Sequence, residues 1–210
     1  MPRMTRRRGA FLVLEGPDKS GKSTQARLLA EALRARGLTV LHTREPGGTS
    51  VAEGVRAVLL NPQLSIDPVA ELFLYEASRA QHVAEKIRPA LARGEVVLCE
   101  RFTMSTDAYQ GVARGLGLAT TRALNAVATG GLEPDLTVVL DIPIDEFDSR
   151  DKSRTLDRLE REHVSFRAAV RKGYRRLAKA RPKTVLIDAT KPAEEIHELI
   201  LARAGKAVSR

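Results

Sequence analysis

The segment GPDKSGKST (residues 16–24) restricts the fold of this chain more than any other stretch. It has the pattern G-x-x-x-x-G-K-S and lies between the apolar run AFLVLE (residues 10–15) and a helical pattern that starts at Lys22. Between a strand and a helix, the glycines let the backbone turn tightly so that its N–H groups converge, and the helix N-terminus adds positive potential. The segment therefore predicts a loop that holds a nucleoside triphosphate, and we expect ATP and Mg²⁺ as the ligands.

The residues of this loop have distinct expected roles. Lys22 is expected to reach the β- and γ-phosphates, and the hydroxyl of Ser23 is expected to bind Mg²⁺. The residues expected to contact ATP are Gly16, Pro17, Asp18, Lys19, Ser20, Gly21, Lys22, Ser23 and Thr24.

Short apolar runs alternate with amphipathic helical patterns along the rest of the chain. Predicted strands span residues 10–15, 38–42, 95–99, 135–141 and 183–188. Predicted helices span residues 22–37, 51–60, 69–93, 103–131 with a break near GLGL, 144–180 with a charged break, and 192–204. This alternation predicts an α/β fold, a three-layer sandwich of the P-loop NTPase type with a parallel sheet and helices on both faces.

A single domain is expected, because 210 residues suit one core and no repeat or long linker interrupts the pattern. We place it at residues 10–205, between a disordered basic tail (1–9) and a C-terminal tail (206–210). The net charge of +9 includes Arg3, Arg6, Arg7 and Arg8 in the first tail. Such a tail is typical of nucleic-acid binding or of a solvated end. No aromatic–basic interleaving follows it and tryptophan is absent, so nucleic acid is not expected as a partner.

The composition also bears on location. The apolar runs are too short to span a membrane, and the apolar stretch after the basic N-terminus stops at Glu15, which argues against a secretory signal. Cys99 is the sole cysteine, so no internal disulfide can form. These features predict a cytoplasmic protein.

The glycine loop alone is compatible with a kinase, a GTPase or a motor ATPase. The sequence has neither the Asn-Lys-x-Asp motif that reads guanine in GTPases nor the apolar strand ending in paired acids that is usual in motor ATPases. In EVVLCERF, Glu100 and Arg101 instead follow a buried strand, at the end where α/β sheets bind ligands. Glu100 is expected to hold a Mg²⁺-bound water, with Ser23 as the other metal-site residue, unless it forms only a surface salt bridge. Arg101 beside it indicates a binding site for a second anion.

Seven stretches together resemble the thymidylate kinases, a family of P-loop nucleoside monophosphate kinases. They are EGPDKSGKSTQ (15–25), TREPGGT (43–49), SRAQHV (78–83), IRPAL (87–91), ERFTMSTDAYQG (100–111), ATGGLEPDLTVVLD (128–141) and DRLE (157–160). The resemblance implies transfer of the γ-phosphoryl group of ATP to dTMP, giving ADP and dTDP for dTTP biosynthesis. It also implies a five-stranded parallel sheet and a homodimer.

The resemblance assigns roles on the dTMP side of the site. Asp18 would lie between the two substrates, near the acceptor phosphate and Mg²⁺, as the third metal-site residue beside Ser23 and Glu100. Arg101 would clamp the dTMP phosphate with its fork of donors. Tyr75 would stack on the base, one helical turn before Arg79, which would reach the thymine edge. Tyr109 would press under the sugar and leave no room for a 2′-hydroxyl, although both tyrosines also suit ordinary aromatic packing. The set is completed by Ser105 and Thr106 as hydrogen-bonding partners of thymine, and by Glu45, Pro46, Asp157 and Glu160.

The segment FDSRDKSRTLDRLERE (147–162) is densely charged. From its residues alone it is typical of a solvated helix face, whereas the resemblance makes residues 147–160 a mobile lid over ATP. Arg150, Arg154 and Arg158 are then candidates to neutralise charge on the transferring phosphoryl group, and we favour Arg150 and Arg154. The expected catalytic set is Asp18, Lys22, Arg101, Arg150 and Arg154.

Four positions depart from the usual pattern of that family. Lys19 is a basic residue within the loop although the lid is basic too, Glu100 replaces an aspartate, Tyr75 replaces a phenylalanine, and Ser78 stands where an acidic residue or asparagine is common. The sequence leaves open another P-loop nucleoside monophosphate kinase, or a non-catalytic binder of ATP or nucleic acid.

Overall fold

Five parallel strands form the central sheet of the protein. In the computed structural model, which describes residues 8–150 and 156–209, they are β1 (Phe11–Glu15), β2 (Val40–Arg44), β3 (Val96–Glu100), β4 (Leu136–Asp141) and β5 (Thr184–Asp188). The strand order is β2-β3-β1-β4-β5, and the pairings between neighbours are parallel. The loop after β1 therefore opens at the carboxyl edge of the sheet, between the ends of β3 and β4.

Helices connect the strands. They are α1 (Lys22–Ala35), α2 (Ser50–Leu60), α3 (Pro68–His82), α4 (Arg88–Ala92), α5 (Thr103–Thr106), α6 (Leu118–Thr129), α7 (Ile144–Ser149), α8 (Val164–Ala180) and α9 (Ala193–Val208). A π-helical stretch, Val83–Ile87, joins α3 to α4, and another, Asp107–Ala113, follows α5. Among the described residues, no helix is both long and apolar enough to cross a bilayer.

Alternate residues of β1 point to opposite faces of the sheet, and each face has its own core. Leu12 and Leu14 pack with α1 and α9 on one face. Phe11 and Val13 pack on the other face with α4 and the π-helical stretch before it. On this second face, α5, α8 and the second π-helical stretch form a further apolar cluster with Val139. The predicted three-layer α/β sandwich is confirmed.

The ends of the folded unit differ from the predicted boundaries. Arg8 forms an ion pair with Asp135 at 2.8 Å, and the backbone N–H of Gly9 donates to the carbonyl of Leu91. These two residues are held by the domain, although the sequence pattern assigns them to the disordered tail. Helix α9 likewise continues to Val208, past the predicted domain end at residue 205. Residues 1–7 lie outside the described residues.

The helix predicted at residues 69–93 contains a stretch in which the hydrogen bonding is π-helical instead of α-helical. Pro89 has no N–H to donate to the carbonyl four residues earlier, so a regular α-helix cannot pass through it with all its bonds made. The π-helical stretch Val83–Ile87 lies directly before the first turn of α4, which contains Pro89. Apolar periodicity predicts the helix but not this local change.

Candidate active site

The glycine loop surrounds the N-terminus of α1. Gly16 has a φ of 137°, and a Cβ there would lie 2.3 Å from the carbonyl oxygen of Leu140, so only glycine fits. Gly21 has a φ of 90° at the N-cap of α1, where no described side chain makes a capping hydrogen bond and no acidic residue stands in the first turn. The first N–H groups of α1 are therefore available to an anion.

The side chain of Lys22 folds back over this loop. It is 8% exposed, and its Nζ donates to the carbonyls of Gly16 (3.1 Å) and Pro17 (2.6 Å) and to Oγ of Ser20 (3.3 Å). Burial, together with the neighbouring Arg101 guanidinium, lowers the pKa of Lys22 to about 7. A phosphate beside Nζ would favour the charged form of this lysine, because opposite charges stabilise each other in a buried site.

Ser23 and Glu100 bring two oxygens together at the edge of the loop. The Ser23 hydroxyl donates to Oε2 of Glu100 at 2.5 Å. Burial favours the neutral form of Glu100, but hydrogen bonds from His42 and Ser23 outweigh it and lower the pKa of the carboxyl. An ionised carboxylate beside a hydroxyl is the hard oxygen donor set that Mg²⁺ prefers, so these two residues fit the predicted metal.

Asp18, the third predicted metal residue, faces Arg101. The two side chains form an ion pair, and the Tyr109 hydroxyl donates to the other Asp18 oxygen at 2.7 Å. Burial would raise the pKa of Asp18, but the charges of Arg101 and Lys22 outweigh it and lower the pKa. Arg101 has a φ of 68° and also donates to the carbonyl of Gly16 at 3.1 Å. The pair therefore joins the glycine loop to the turn after β3.

Two concave regions meet at this ion pair. The first, the loop cleft, is lined by the predicted ATP, metal and catalytic residues Asp18, Lys19, Gly21, Lys22, Ser23, Thr24, Glu100, Arg101 and Arg150. The second, the aromatic cavity, is lined by the predicted dTMP residues Asp18, Glu45, Pro46, Tyr75, Arg101, Ser105, Thr106, Tyr109 and Asp157. Glu45, Arg56 and Asp157 also line both regions. Ligands that fill the two regions would meet end to end.

Glu15, the last residue of β1, fixes the turn that carries Arg101. It is fully buried, and its carboxylate accepts hydrogen bonds from the backbone N–H of Phe102 (2.8 Å), the hydroxyl of Ser105 (2.6 Å) and the hydroxyl of Tyr174 (3.0 Å). Burial raises the pKa of Glu15 even so. The carboxyl end of β1 thus holds residues 101–105 in place through an unusual buried acid.

Two of the predicted dTMP residues, Arg79 and Glu160, do not line the aromatic cavity. Arg79 is 2% exposed and lies behind the wall of the aromatic cavity, where it donates to Glu45, Glu76 and Thr106, each at 2.8 Å. Its helix position predicts which way Arg79 points but not that two buried carboxylates bind it. It supports Glu45 and Thr106 from the rear, and its contact with the thymine edge stays a prediction. Glu160 lines the loop cleft rather than the aromatic cavity.

Gln110 is a residue of the aromatic cavity that the sequence interpretation does not identify. Its Nε2 donates to Oε1 of the fully buried Glu71 at 2.7 Å. Burial acts to raise the pKa of Glu71, but hydrogen bonds led by that of Arg114 outweigh it and lower the pKa. An ionised carboxylate only accepts, so the amide of Gln110 is fixed with Oε1 left as the acceptor for a ligand. The sequence signal that could have identified Gln110 is its position directly after Tyr109 in the segment AYQG.

Arg56 is the second unidentified residue of the site. It lines both regions, and its Nη1 donates to the carbonyl of Pro46 at 2.8 Å. Arg101 is one cation at the place where the loop cleft and the aromatic cavity meet, and Arg56 is a second. No local motif marks Arg56, because it lies within the ordinary amphipathic pattern of α2.

The first part of the predicted lid brings Arg150 to the loop cleft. Its guanidinium donates to the carbonyls of Ala189 (2.7 Å) and Lys19 (3.3 Å). The ammonium of Lys19 lies 4.6 Å from the ring centre of Phe147, against the lid helix α7. Arg154 lies outside the described residues, in the undescribed segment 151–155.

Arg158, the remaining lid candidate, is directed to a different partner. It forms an ion pair with Glu71 at 2.6 Å, and its Nε donates to the carbonyl of Leu59 at 2.8 Å. The sequence shows that Arg158 is charged, but it does not show that the distant, buried carboxylate of Glu71 pairs with it. Arg158 therefore anchors the returning end of the predicted lid next to Leu159, which lines the aromatic cavity.

Glu45, His82 and Cys99 place three potential metal ligands within 4.8 Å of one another, although they are far apart in sequence. His82 bonds to Glu45 through Nδ1 (3.0 Å) and to Thr43 through Nε2 (2.7 Å). The Cys99 thiol donates to the carbonyl of Arg101 at 3.1 Å, and burial raises its pKa well above the usual value. Since these groups already bond to the protein, the cluster is a buried hydrogen-bond network.

Comparison with known proteins gives a consistent result. The family model for thymidylate kinase matches residues 14–200. A thymidylate kinase of Pseudomonas fluorescens strain Pf-5 is 50% identical over 193 residues, covering 90% of this chain and 92% of that protein. A thymidylate kinase of Deinococcus radiodurans is 47% identical over 200 residues, covering 94% of this chain and 97% of that protein. This chain therefore belongs to the thymidylate kinase family.

Proposed function

We propose that this protein is a thymidylate kinase, which transfers the γ-phosphoryl group of ATP to dTMP and releases ADP and dTDP for dTTP biosynthesis. The observation that carries the proposal is the junction of the loop cleft and the aromatic cavity at Asp18 and Arg101. A triphosphate in the cleft and a monophosphate in the cavity approach each other across this junction. Phosphoryl transfer depends mainly on such positioning and on neutralisation of charge.

The cations around the junction suit this reaction. Lys22, Arg56 and Arg101 line the region where the two phosphates meet, and Arg150 lines the cleft from the lid side. Ser23 and Glu100 would hold Mg²⁺, which supplies charge neutralisation at phosphate oxygens when bound. Asp18 keeps Arg101 oriented toward the junction through their ion pair. No strong general base is needed, because the dTMP phosphate oxygen is already ionised at neutral pH.

The aromatic cavity suits a thymine base on a deoxyribose. Oε1 of Gln110, fixed as an acceptor by Glu71, matches the N3–H of thymine, whereas N3 of cytosine is itself an acceptor and would be rejected. Tyr75 offers a ring for stacking. The hydroxyl of Tyr109 is tied to Asp18, which holds its ring at the place proposed for the sugar. A ribose 2′-hydroxyl would then meet the ring.

Assembly and location complete the proposal. Helix α3 packs against both α2 and α6, and these three helices expose the apolar side chains Val51, Val58, Val69, Phe73 and Val127. We place the homodimer contact on these three helices, because exposed apolar side chains on neighbouring helices favour association. We also place the protein in the cytoplasm, since its sole cysteine is a free, buried thiol that suits a reducing compartment.

A coupled assay of ADP release across a panel of nucleoside monophosphates tests the proposal. With ATP and Mg²⁺, we expect dTMP to give the highest kcat/KM among dTMP, dUMP, dCMP, UMP and AMP. A faster reaction with AMP or UMP would indicate another nucleoside monophosphate kinase. ADP release that no monophosphate accelerates would contradict the kinase assignment.

A further inference from the structure

Glu100 has both of its carboxylate oxygens bound by side chains from other elements. Ser23 of α1 donates to Oε2 at 2.5 Å, and Nε2 of His42 on β2 lies 2.9 Å from Oε1. In the parallel pairing of β2 with β3, His42 is opposite Leu98 and Arg44 is opposite Glu100. His42 therefore reaches Glu100 from the neighbouring strand, two residues before the register position of Glu100.

The roles in this contact follow from the chemistry of the two groups. An ionised carboxylate has no proton to give, so Nε2 of His42 must be the donor. The His42 side chain is 28% exposed and that of Glu100 is 12% exposed, so the bond lies at the edge of the loop cleft rather than in open solvent. A glutamate has several side-chain torsions to restrict before its oxygens occupy one place. Ser23 restrains one oxygen and His42 the other.

We propose that His42 is a positioning residue for the metal site, which fixes the Glu100 carboxylate so that Oε2 stays beside the Ser23 hydroxyl. This inference rests on the proposed function, in which Ser23 and Glu100 hold Mg²⁺. Outer partners that orient a ligating carboxylate contribute to metal affinity although they do not touch the ion. His42 belongs neither to the glycine loop nor to the site residues that the sequence predicts.

Two variants of His42 test this role with a direct measurement of metal binding. Mn²⁺ serves as a paramagnetic substitute for Mg²⁺, and its affinity for the enzyme–ADP complex is measured by electron paramagnetic resonance. We expect His42→Leu, which removes the donor, to weaken Mn²⁺ binding about 10-fold. We expect His42→Gln, which retains an N–H donor, to recover most of that loss. Thermal unfolding of each variant checks that it is folded.

A second readout separates positioning from a general effect on the fold. In the kinase assay, His42→Leu should raise the Mg²⁺ concentration for half-maximal rate while the KM for dTMP changes less than twofold. His197→Ala on α9 is the matched control and should leave both values unchanged.

Glu100→Gln distinguishes failure of this inference from failure of the proposed metal site. Weakened Mn²⁺ binding in Glu100→Gln, with normal binding in His42→Leu, would overturn the positioning role and leave the metal site standing. Normal binding in both variants would overturn the metal site and the positioning role together. Equal losses in His42→Leu and His42→Gln would also overturn the role of the donated hydrogen bond.

Discussion

The loop cleft and the aromatic cavity meet at Asp18 and Arg101, yet the chain builds them in different ways. The loop motif of the cleft, Gly16–Thr24, is one continuous segment that contains the start of α1 and the side chain of Lys22, which folds back onto the carbonyl of Pro17. The walls of the aromatic cavity come from six separate parts of the chain, at residues 18, 45–46, 56–60, 75, 101–110 and 157–159. The loop motif is a local turn, whereas the aromatic cavity exists only after the sheet and helices have packed.

This difference has an energetic side. The phosphate-facing groups of the cleft are held by short-range backbone geometry, such as the left-handed conformation of Gly21. The groups of the cavity are held by buried acids on other elements: Glu71 orients Gln110, and Glu15 holds the turn that carries Arg101. We therefore expect substitutions in the cleft to affect mainly the chemical step, and substitutions in the cavity to affect mainly the recognition of dTMP.

The largest effect is expected in the cleft, from Lys22→Met. Loss of a buried, preorganised cation from the transferring phosphoryl group should lower kcat about 10³-fold. The KM for dTMP should change far less, because Lys22 belongs to the cleft. Steady-state kinetics with both substrates measure the split. Lys19→Met removes a lysine of the same loop whose ammonium lies against Phe147, and a loss as large as that of Lys22→Met would break the comparison.

The next largest effect is expected in the cavity, from Arg101→Ala. Charge-assisted hydrogen bonds contribute about 1.5–3 kcal/mol, so the KM for dTMP should rise roughly 10- to 100-fold and that for ATP much less. Part of the loss comes from leaving Asp18 without its cation. The double variant Arg101→Ala/Asp18→Asn removes that unpaired charge and should recover this part. Normal dTMP kinetics in Arg101→Ala would remove Arg101 from the acceptor site.

A smaller, selective effect is expected from Tyr109→Ala. Removing the ring opens space beside the sugar, so the preference for deoxyribose over ribose should fall about 10-fold. Tyr109→Phe keeps the ring and removes only the hydroxyl bonded to Asp18, and it should keep the preference. The ratio of kcat/KM for dTMP and its ribonucleotide analogue measures the effect. An unchanged ratio in Tyr109→Ala would refute the steric role.

The smallest effect is expected on stability, from Glu15→Gln. Because burial raises the pKa of Glu15 above its ordinary value of 4.5, the folded chain binds this proton more tightly than the unfolded chain. The protonated carboxyl thus contributes stability below pH 4.5, and this contribution is lost as the pH rises through the folded-state pKa. Relative to wild type, the neutral amide variant should therefore gain in free energy of unfolding as pH rises.

Urea unfolding of both proteins at pH 4.5 and pH 7.5 measures this difference. The change should lie within the ~0.5–3 kcal/mol typical of single substitutions. A difference between the two proteins that does not vary with pH would show that Glu15 titrates normally.

Sequence patterns predicted the fold well because its signals are local. Buried strands read as apolar runs, and α1 reads as an amphipathic helix that follows a glycine loop. The site was predicted less completely. Asp18, Arg101 and Tyr109 are brought together at one junction, but Arg79 is held behind the cavity wall and Arg158 turns to Glu71. In both cases, a charge visible in the sequence has a buried partner far away along the chain.

The sequence by itself determined the phosphate loop, because nine adjacent residues contain the glycines, the lysine and the hydroxyl that the loop requires. It also determined the alternation of strands and helices, since the spacing of apolar residues within each element indicates its type. Only the tertiary structure decided which acid meets which base: Glu71 with Arg158, Glu45 with Arg79, and Glu100 with His42. Such pairs form between elements that packing brings together, and their partners are set by strand register and helix placement, which no local pattern encodes.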